Sequence, residues 1–284
     1  MQKRVVLLLV LAGCAKPAGQ IGVPPPPYVS NAPGIPTQSS DDGFEKMGTP
    51  QPGEWLHRFQ EPGQTFERYL DQCANRRSEK RTTIYLQPLG TLNERYVKTI
   101  ERMREYSEIF FGVACVVRKA LDLPAPTYHK DRRQYDSTRI IGWLANDLPD
   151  DALAVAGITD QDLFSGTLNF VFGEGSLAGR RGVYSLCRFE RDEEMFLRRG
   201  IQLLSHEVGH IFGIEHCIWY KCVMSGANSL EESDRHPVHL CPIDLQKLEW
   251  NTGFNRAGRY RALQGFYDRY GLKEEAGWVK ARLK

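Results

Sequence analysis

An α+β fold built on a mixed β-sheet, with one long site-bearing helix and a small, mainly helical C-terminal part, is predicted by three features of this 284-residue sequence. Helix-like and strand-like patterns alternate through the first two thirds, helical spacing takes over from Asp192 onward, and there is no internal repeat of the kind that builds solenoids or propellers. Composition sets the bounds. Apolar residues make up 41% and charged residues 25%, the ordinary globular range, and the chain is long enough to bury a substantial core without staples. Lys and Arg (37) against Asp and Glu (35) leave a formal charge of +2 with both signs scattered, so there is no electrostatic case for nucleic acid.

In chain order, residues 65–74 (TFERYLDQCA) have helical spacing and residues 81–90 (RTTIYLQPLG) read as a strand closed by a proline-glycine turn. Tyr96, Ile100, Met103 and Ile109 recur at three- and four-residue spacing and mark an amphipathic helix over 93–111. The β-branched run at 113–117 suits a buried strand. A helix follows over 137–148, then strands over 152–158, 167–172 (TLNFVF) and 182–189 (GVYSLCRF), and one continuous helix over 193–212.

The N-terminal 53 residues have a different character. Lys3 and Arg4 precede an apolar run, Val5 to Leu11, too short to span the ~30 Å of a bilayer core, so residues 1–13 read as an export signal. Leu11-Ala12-Gly13-Cys14 resembles the lipobox of bacterial lipoproteins, which implies lipid attachment at Cys14 and a place in the cell envelope, outside the cytoplasm. A plain signal peptide with an incidental cysteine is the alternative. Residues 14–53 are rich in proline and read as an extended tether, or as a docking site for a proline-recognising partner. The folded domain is then expected over 54–284.

The chemistry concentrates in HEVGHIFGIEHC, residues 206–217. His206 and His210 stand four residues apart on the long helix, so both imidazoles project from one face and can share one Zn²⁺ at ~2.0–2.1 Å. Gly213 lets the chain turn sharply and bring His216 round as a third ligand. Three neutral imidazoles leave a fourth tetrahedral position for water, the arrangement of a catalytic site. Glu207 can accept a proton from that water as it attacks a peptide carbonyl. A bare HExxH also occurs as a polar helix face with capping histidines; Gly213 and His216 at their spacings set this sequence apart.

HExxHxxGxxH is the metzincin signature, and Cys217, Cys222 and Met224 after it make the segment resemble the archaemetzincins, with the likeness running roughly over residues 81–270. The resemblance implies a zincin-type sandwich with a twisted sheet, and zinc-dependent peptide hydrolysis. It also implies that Met224 forms an apolar floor under the imidazoles and that LNFVFGE (168–174) is an edge strand lining the cleft. It further implies a second, structural zinc held by four cysteines. Three of these match Cys217, Cys222 and Cys241, but the fourth position is Asp244. Asp244 can supply a carboxylate ligand, His239 can stand in for it, or two of the thiols can form a disulfide in an exported protein. Cys73, Cys115 and Cys187 read as buried thiols, His57 and His129 lie outside any ligand spacing, and Arg180 and Arg181 suggest a solvated turn.

The expected partners are a peptide or protein substrate and, through Cys14, a membrane, with the chain acting as a monomer. A non-catalytic zinc-stabilised envelope protein and another amide hydrolase are the competing functions. Glu207 argues against the first, since a binding module has no use for a base beside the metal.

Overall fold

The computed structural model describes residues 43–176 and 179–283. The signal and Cys14 lie outside the described residues. Two short helices, α1 (Trp55–Arg58) and α2 (Phe66–Gln72), precede strand β1 (Thr83–Leu89). Helix α3 (Glu94–Phe111) then crosses over to β2 (Ala114–Val117), which pairs in parallel with β1. Asn93 caps α3 by accepting from the amides of Arg95 and Tyr96, and Gly112, at φ 65°, ends it. Tyr96, Ile100, Met103 and Phe110 form its buried face.

Next come β3 (Tyr128–His129), β4 (Gln134–Asp136) and helix α4 (Ser137–Leu144), then β5 (Ala152–Thr159), β6 (Leu163–Phe164), β7 (Gly173–Ser176) and β8 (Arg181–Ser185). The main sheet has the order β2-β1-β5-β8-β7; its first four strands are parallel and β7 runs antiparallel along the edge. Every residue of β5 is buried, as expected for a parallel strand covered on both faces. Helix α5 (Glu193–Ile211) packs with α3 on one face, and on the other Ile140, Ile141 and Leu144 of α4 meet Leu89 and Val183. The C-terminal part is helical: α6 (Leu230–Asp234), α7 (Pro242–Thr252), α8 (Arg256–Tyr270) and α9 (Lys273–Lys280).

Four expectations change. The run at 113–117 is an edge strand, not an interior one: among the described residues β2 pairs only with β1, and Val116 is 44% exposed. Residues 167–172 form no strand, although Phe170, Val171 and Phe172 are buried, and the edge strand starts at Gly173. The apolar run reported burial of side chains, which periodicity cannot distinguish from ladder pairing. The helix read over 137–148 stops at Leu144 and tightens into a 3₁₀ turn, Ala145–Asp147, ahead of Pro149. Finally, residues 43–53, read as the end of the tether, belong to the packed body. Phe44 packs edge-on against Trp278 at 5.4 Å and His239 at 6.0 Å, and the Met47 amide donates to the Trp219 carbonyl at 2.9 Å. The two aromatic residues that receive Phe44 lie far away in sequence, so the local composition carried no sign of them.

Candidate metal centre

Helix α5 carries the site and runs through the middle of the molecule. Asp192 caps it by accepting from the Met195 amide, with Glu193 and Glu194 in the first turn complementing the helix dipole. Every residue from Phe196 to Ile211 is buried. Burying Phe196, Leu197, Ile201, Leu204 and Ile211 stabilises the helix by ~1.5–3 kcal/mol each. The buried arginines are partnered: Arg198 Nε donates to Glu275 at 2.7 Å, and Arg199 makes a two-pronged contact with Asp234 at 2.9 and 2.6 Å.

The helix ends in a Schellman turn. The Gly213 amide donates to the His210 carbonyl at 2.8 Å and the Ile214 amide to the Gly209 carbonyl at 3.0 Å, with Gly213 at φ 84°. This turn swings His216 back toward the helix, so that its ring centroid lies 5.2 Å from that of His206 and 4.9 Å from that of His210. Nε2 of His206 and His210 are 2.9 Å apart, and Nε2 of His216 is buried with no hydrogen-bond partner among the described residues. One nitrogen from each ring lies within 4.8 Å of the other two. Each ring is held from behind by its Nδ1: His206 by the Val223 carbonyl at 2.8 Å, His210 by the Ile214 carbonyl at 2.6 Å, and His216 by Glu61 Oε1 at 2.8 Å. A buried, unpartnered nitrogen facing two others from rings anchored in this way is the donor set a tetrahedral zinc takes, with one position left open. Burial and the nearby His216 push His206 down to about 3, and burial with the neighbouring imidazoles lowers His210 as well, so both rings are neutral and ready to ligate.

Glu207 is buried beside the edge strand: a Cβ on Gly175 of β7 would sit 3.9 Å from its Oε2. Burial and the charge of Glu174 push its pKa up to about 8. Glu174, also on β7, accepts from the hydroxyls of Ser137 and Thr138 at the start of α4. The expected edge strand lining the site is therefore present but shifted, with Glu174 and Gly175 beside Glu207. Met224 is fully buried, and its sulfur lies 2.6 Å from where a Cβ on Gly209 would be, so Gly209 is what lets the methionine reach under the helix between His206 and His210. Beside His206, Phe172, Phe189, Leu203, Val223 and Ala227 line a small pocket. The Arg199 guanidinium at this pocket is neutralised by Asp234, which leaves the pocket apolar in character.

Cys217, Cys222, Cys241 and Asp244 form a second cluster, all buried, with one ligand atom of each within 4.8 Å of the rest. Cys217 follows His216 directly, and its amide donates to the Met224 carbonyl at 2.9 Å, so the two clusters share one tight loop. Cys241 caps α7, with Pro242 in the first turn, and this puts Asp244 opposite the thiols. Asp244 Oδ2 lies 3.3 Å from the Cys241 sulfur and 3.5 Å from that of Cys222, while Oδ1 accepts from Lys247 Nζ at 2.8 Å. The sulfurs of Cys217 and Cys241 are 3.7 Å apart, against ~2.05 Å for a disulfide, and the described cysteines are all free. The disulfide alternative is therefore not what the structure contains. His239 is no substitute ligand either: its ring stacks on Trp278 at 3.6 Å. Hydrogen bonds from Cys222 and Cys241 hold the Cys217 thiol well below the usual range, and burial pushes Cys222 and Cys241 above it.

The other flagged residues are structural. Arg180 donates to the Ala152 carbonyl and Arg181 Nε to the Ile141 carbonyl at 2.7 Å, so neither is free in a solvated turn. Cys115 is buried, Cys73 and Cys187 are half-buried, and His57 and His129 are exposed. Glu61, Gly209 and Lys247 went unrecognised as site neighbours in the sequence; of these only Lys247, three residues after Asp244, stands at a spacing that signals the contact.

The mixed sheet, the long central helix and three converging imidazoles beside a buried carboxylate define a zinc metallopeptidase. The family model of peptidase family M54 matches residues 91–250. Archaemetzincin-2 of Mus musculus is 30% identical over 285 aligned positions, covering 84% of this chain and 79% of that protein. Among solved structures, archaemetzincin from Methanopyrus kandleri is 30% identical with a TM-score of 0.55, over 63% of this chain and 99% of that one. Archaemetzincin from Archaeoglobus fulgidus, solved with malonate, is 35% identical with a TM-score of 0.52, over 58% of this chain and 99% of that one. The chain belongs to peptidase family M54, the archaemetzincins.

Proposed function

We propose that His206, His210 and His216 hold the catalytic zinc of this peptidase through their Nε2 atoms and that Glu207 is its general base. The observation that carries this reading is the convergence of three ring nitrogens whose opposite nitrogens are all occupied by acceptors. Zinc bound there supplies Lewis acidity, polarising a peptide carbonyl and making water acidic enough to be deprotonated near neutral pH. Glu207 takes the proton from the attacking water and returns it to the leaving amine. Met224 keeps the space under the ligand helix apolar.

Among the described residues β7 pairs with β8 alone, and its other side offers an extended substrate a strand to pair with, next to Glu207. The apolar pocket beside His206 accepts an uncharged side chain adjoining the scissile bond. Cys217, Cys222, Cys241 and Asp244 hold a second zinc with a structural role, supported by four buried donors and by Lys247, which offsets the charge of the carboxylate. The test is digestion of a mixed peptide library, with products read by mass spectrometry. Cleavage by the wild type and none by His206→Ala is expected; equal cleavage by both overturns the assignment.

We further propose that the enzyme works as a monomer at the cell envelope of a bacterium; the basic start, apolar run and Leu11-Ala12-Gly13-Cys14 support the envelope placement, outside the cytoplasm with lipid on Cys14. Among the described residues no helix is long and apolar enough to cross a membrane, so such attachment would rest on the acyl chains. Expressed in a bacterial host with its own N-terminus, Cys14→Ser is expected to lose incorporation of labelled fatty acid and to leave the membrane fraction. Unchanged labelling would refute the anchor.

A further inference from the structure

The third histidine is not held by the helix that carries the first two. It arrives on a turn, and a turn of this kind needs something to fix its angle. That support comes from residues 55–68, upstream of the region the family model matches. Gln64 grips the turn at two points: its Nε2 donates to the Gly213 carbonyl at 3.0 Å and its Oε1 accepts from the Glu215 amide at 3.1 Å. Arg68 reaches Glu215 at 3.4 Å. Between them, Glu61 Oε1 accepts from His216 Nδ1 at 2.8 Å and from the Trp55 indole N–H at 2.8 Å.

The segment is itself seated firmly. The Trp55 amide donates to Glu232 at 2.8 Å, and the same carboxylate accepts from the Asn228 amide at 2.7 Å. The indole lies against Gly226, where a Cβ would come within 2.5 Å of the ring, and packs edge-on to His216 at 5.0 Å. His216 is 5% exposed, and its Nε2 is the buried nitrogen without a partner.

We propose that Glu61 is a positioning residue for the catalytic zinc: it holds the proton of His216 on Nδ1, so that Nε2 presents its lone pair to the metal, and its negative charge makes that imidazole a stronger donor. His206 and His210 are backed by neutral carbonyls, so this carboxylate is the charged member of the three supports. A carboxylate behind a metal-bound histidine fixes ring orientation and raises ligand basicity, and losing such a partner weakens metal binding by about 10–100-fold. The proposal rests on the three-histidine zinc assignment above.

The test is competition of the intact protein against a chromophoric zinc chelator, run for wild type, His206→Ala, Glu61→Ala and Glu61→Gln. His206→Ala identifies the binding step that belongs to the imidazoles; if it removes no step, the three-histidine reading fails and Glu61 falls with it. Given that step, Glu61→Ala is expected to weaken it by about 10–100-fold while the metal-free protein keeps its circular-dichroism spectrum. Glu61→Gln, which keeps the volume and an acceptor oxygen, is expected to lie between Glu61→Ala and wild type and guards against a failure of Glu61→Ala to fold. A purely structural brace would lower thermal stability without moving the dissociation constant. Affinity at the imidazole step within about twofold of wild type in both variants would overturn the assignment and leave the zinc reading standing.

Discussion

Replacing Glu207 by Gln is expected to lower kcat by about 10²–10⁴-fold while the protein keeps its zinc. Gln fills the same space between α5 and the edge strand but cannot take a proton from water or return it to the leaving amine. Glu207 is not one of the three converging donors, so the metal loses no ligand. The measurement is peptide hydrolysis alongside zinc content for the two proteins. A drop in kcat with zinc content and KM nearly unchanged marks an interaction made in the transition state. Unaltered hydrolysis would remove Glu207 from the mechanism; loss of zinc would mean that it supports the site rather than the chemistry.

The second large effect is expected at Asp244. Its side chain and that of Lys247 are each 1% exposed, and they face one another at 2.8 Å. Asp244→Ala strips the lysine of its counter-charge in a place water does not reach, which costs about 3–5 kcal/mol. The same change removes one of four donors from the cysteine cluster. A lower urea midpoint with a fall from two zinc ions per chain to one is therefore expected, because the histidine cluster shares no ligand with this one. Asp244→Cys restores a fourth sulfur and is expected to retain the second ion. A stability within about 0.5 kcal/mol of wild type for Asp244→Ala would show that Lys247 has another partner or is neutral.

The histidine cluster was readable because its geometry is local. His206 and His210 are one helical turn apart, and Gly213 announces the turn that returns His216. The sheet and its long helices were equally plain where apolar spacing ran for more than two turns, as over α3 and α5. What stayed hidden is non-local. Glu61 lies 155 residues from the ring it supports, and Phe44 packs on Trp278 from a stretch whose prolines and glycines resemble a tether. The run TLNFVF shows a different difficulty: Phe170, Val171 and Phe172 are buried, but the run makes only an isolated bridge from Val171 to Leu163, and the regular ladder begins at Gly173. The contact of Met224 with Gly209 is non-local too. The cysteine cluster was legible through the family resemblance, and the structure adds the lysine that makes an aspartate workable in the fourth place.

The most direct test of the central claim is to strip the protein of zinc with a chelator, return the ion stepwise, and follow peptide hydrolysis against bound metal for wild type and His216→Ala. Activity should vanish with the metal and return to wild type as zinc fills the histidine site, while His216→Ala stays inactive at the same zinc concentrations. Hydrolysis that persists in the zinc-free protein, or that His216→Ala regains in full, would contradict a three-histidine zinc as the catalytic centre.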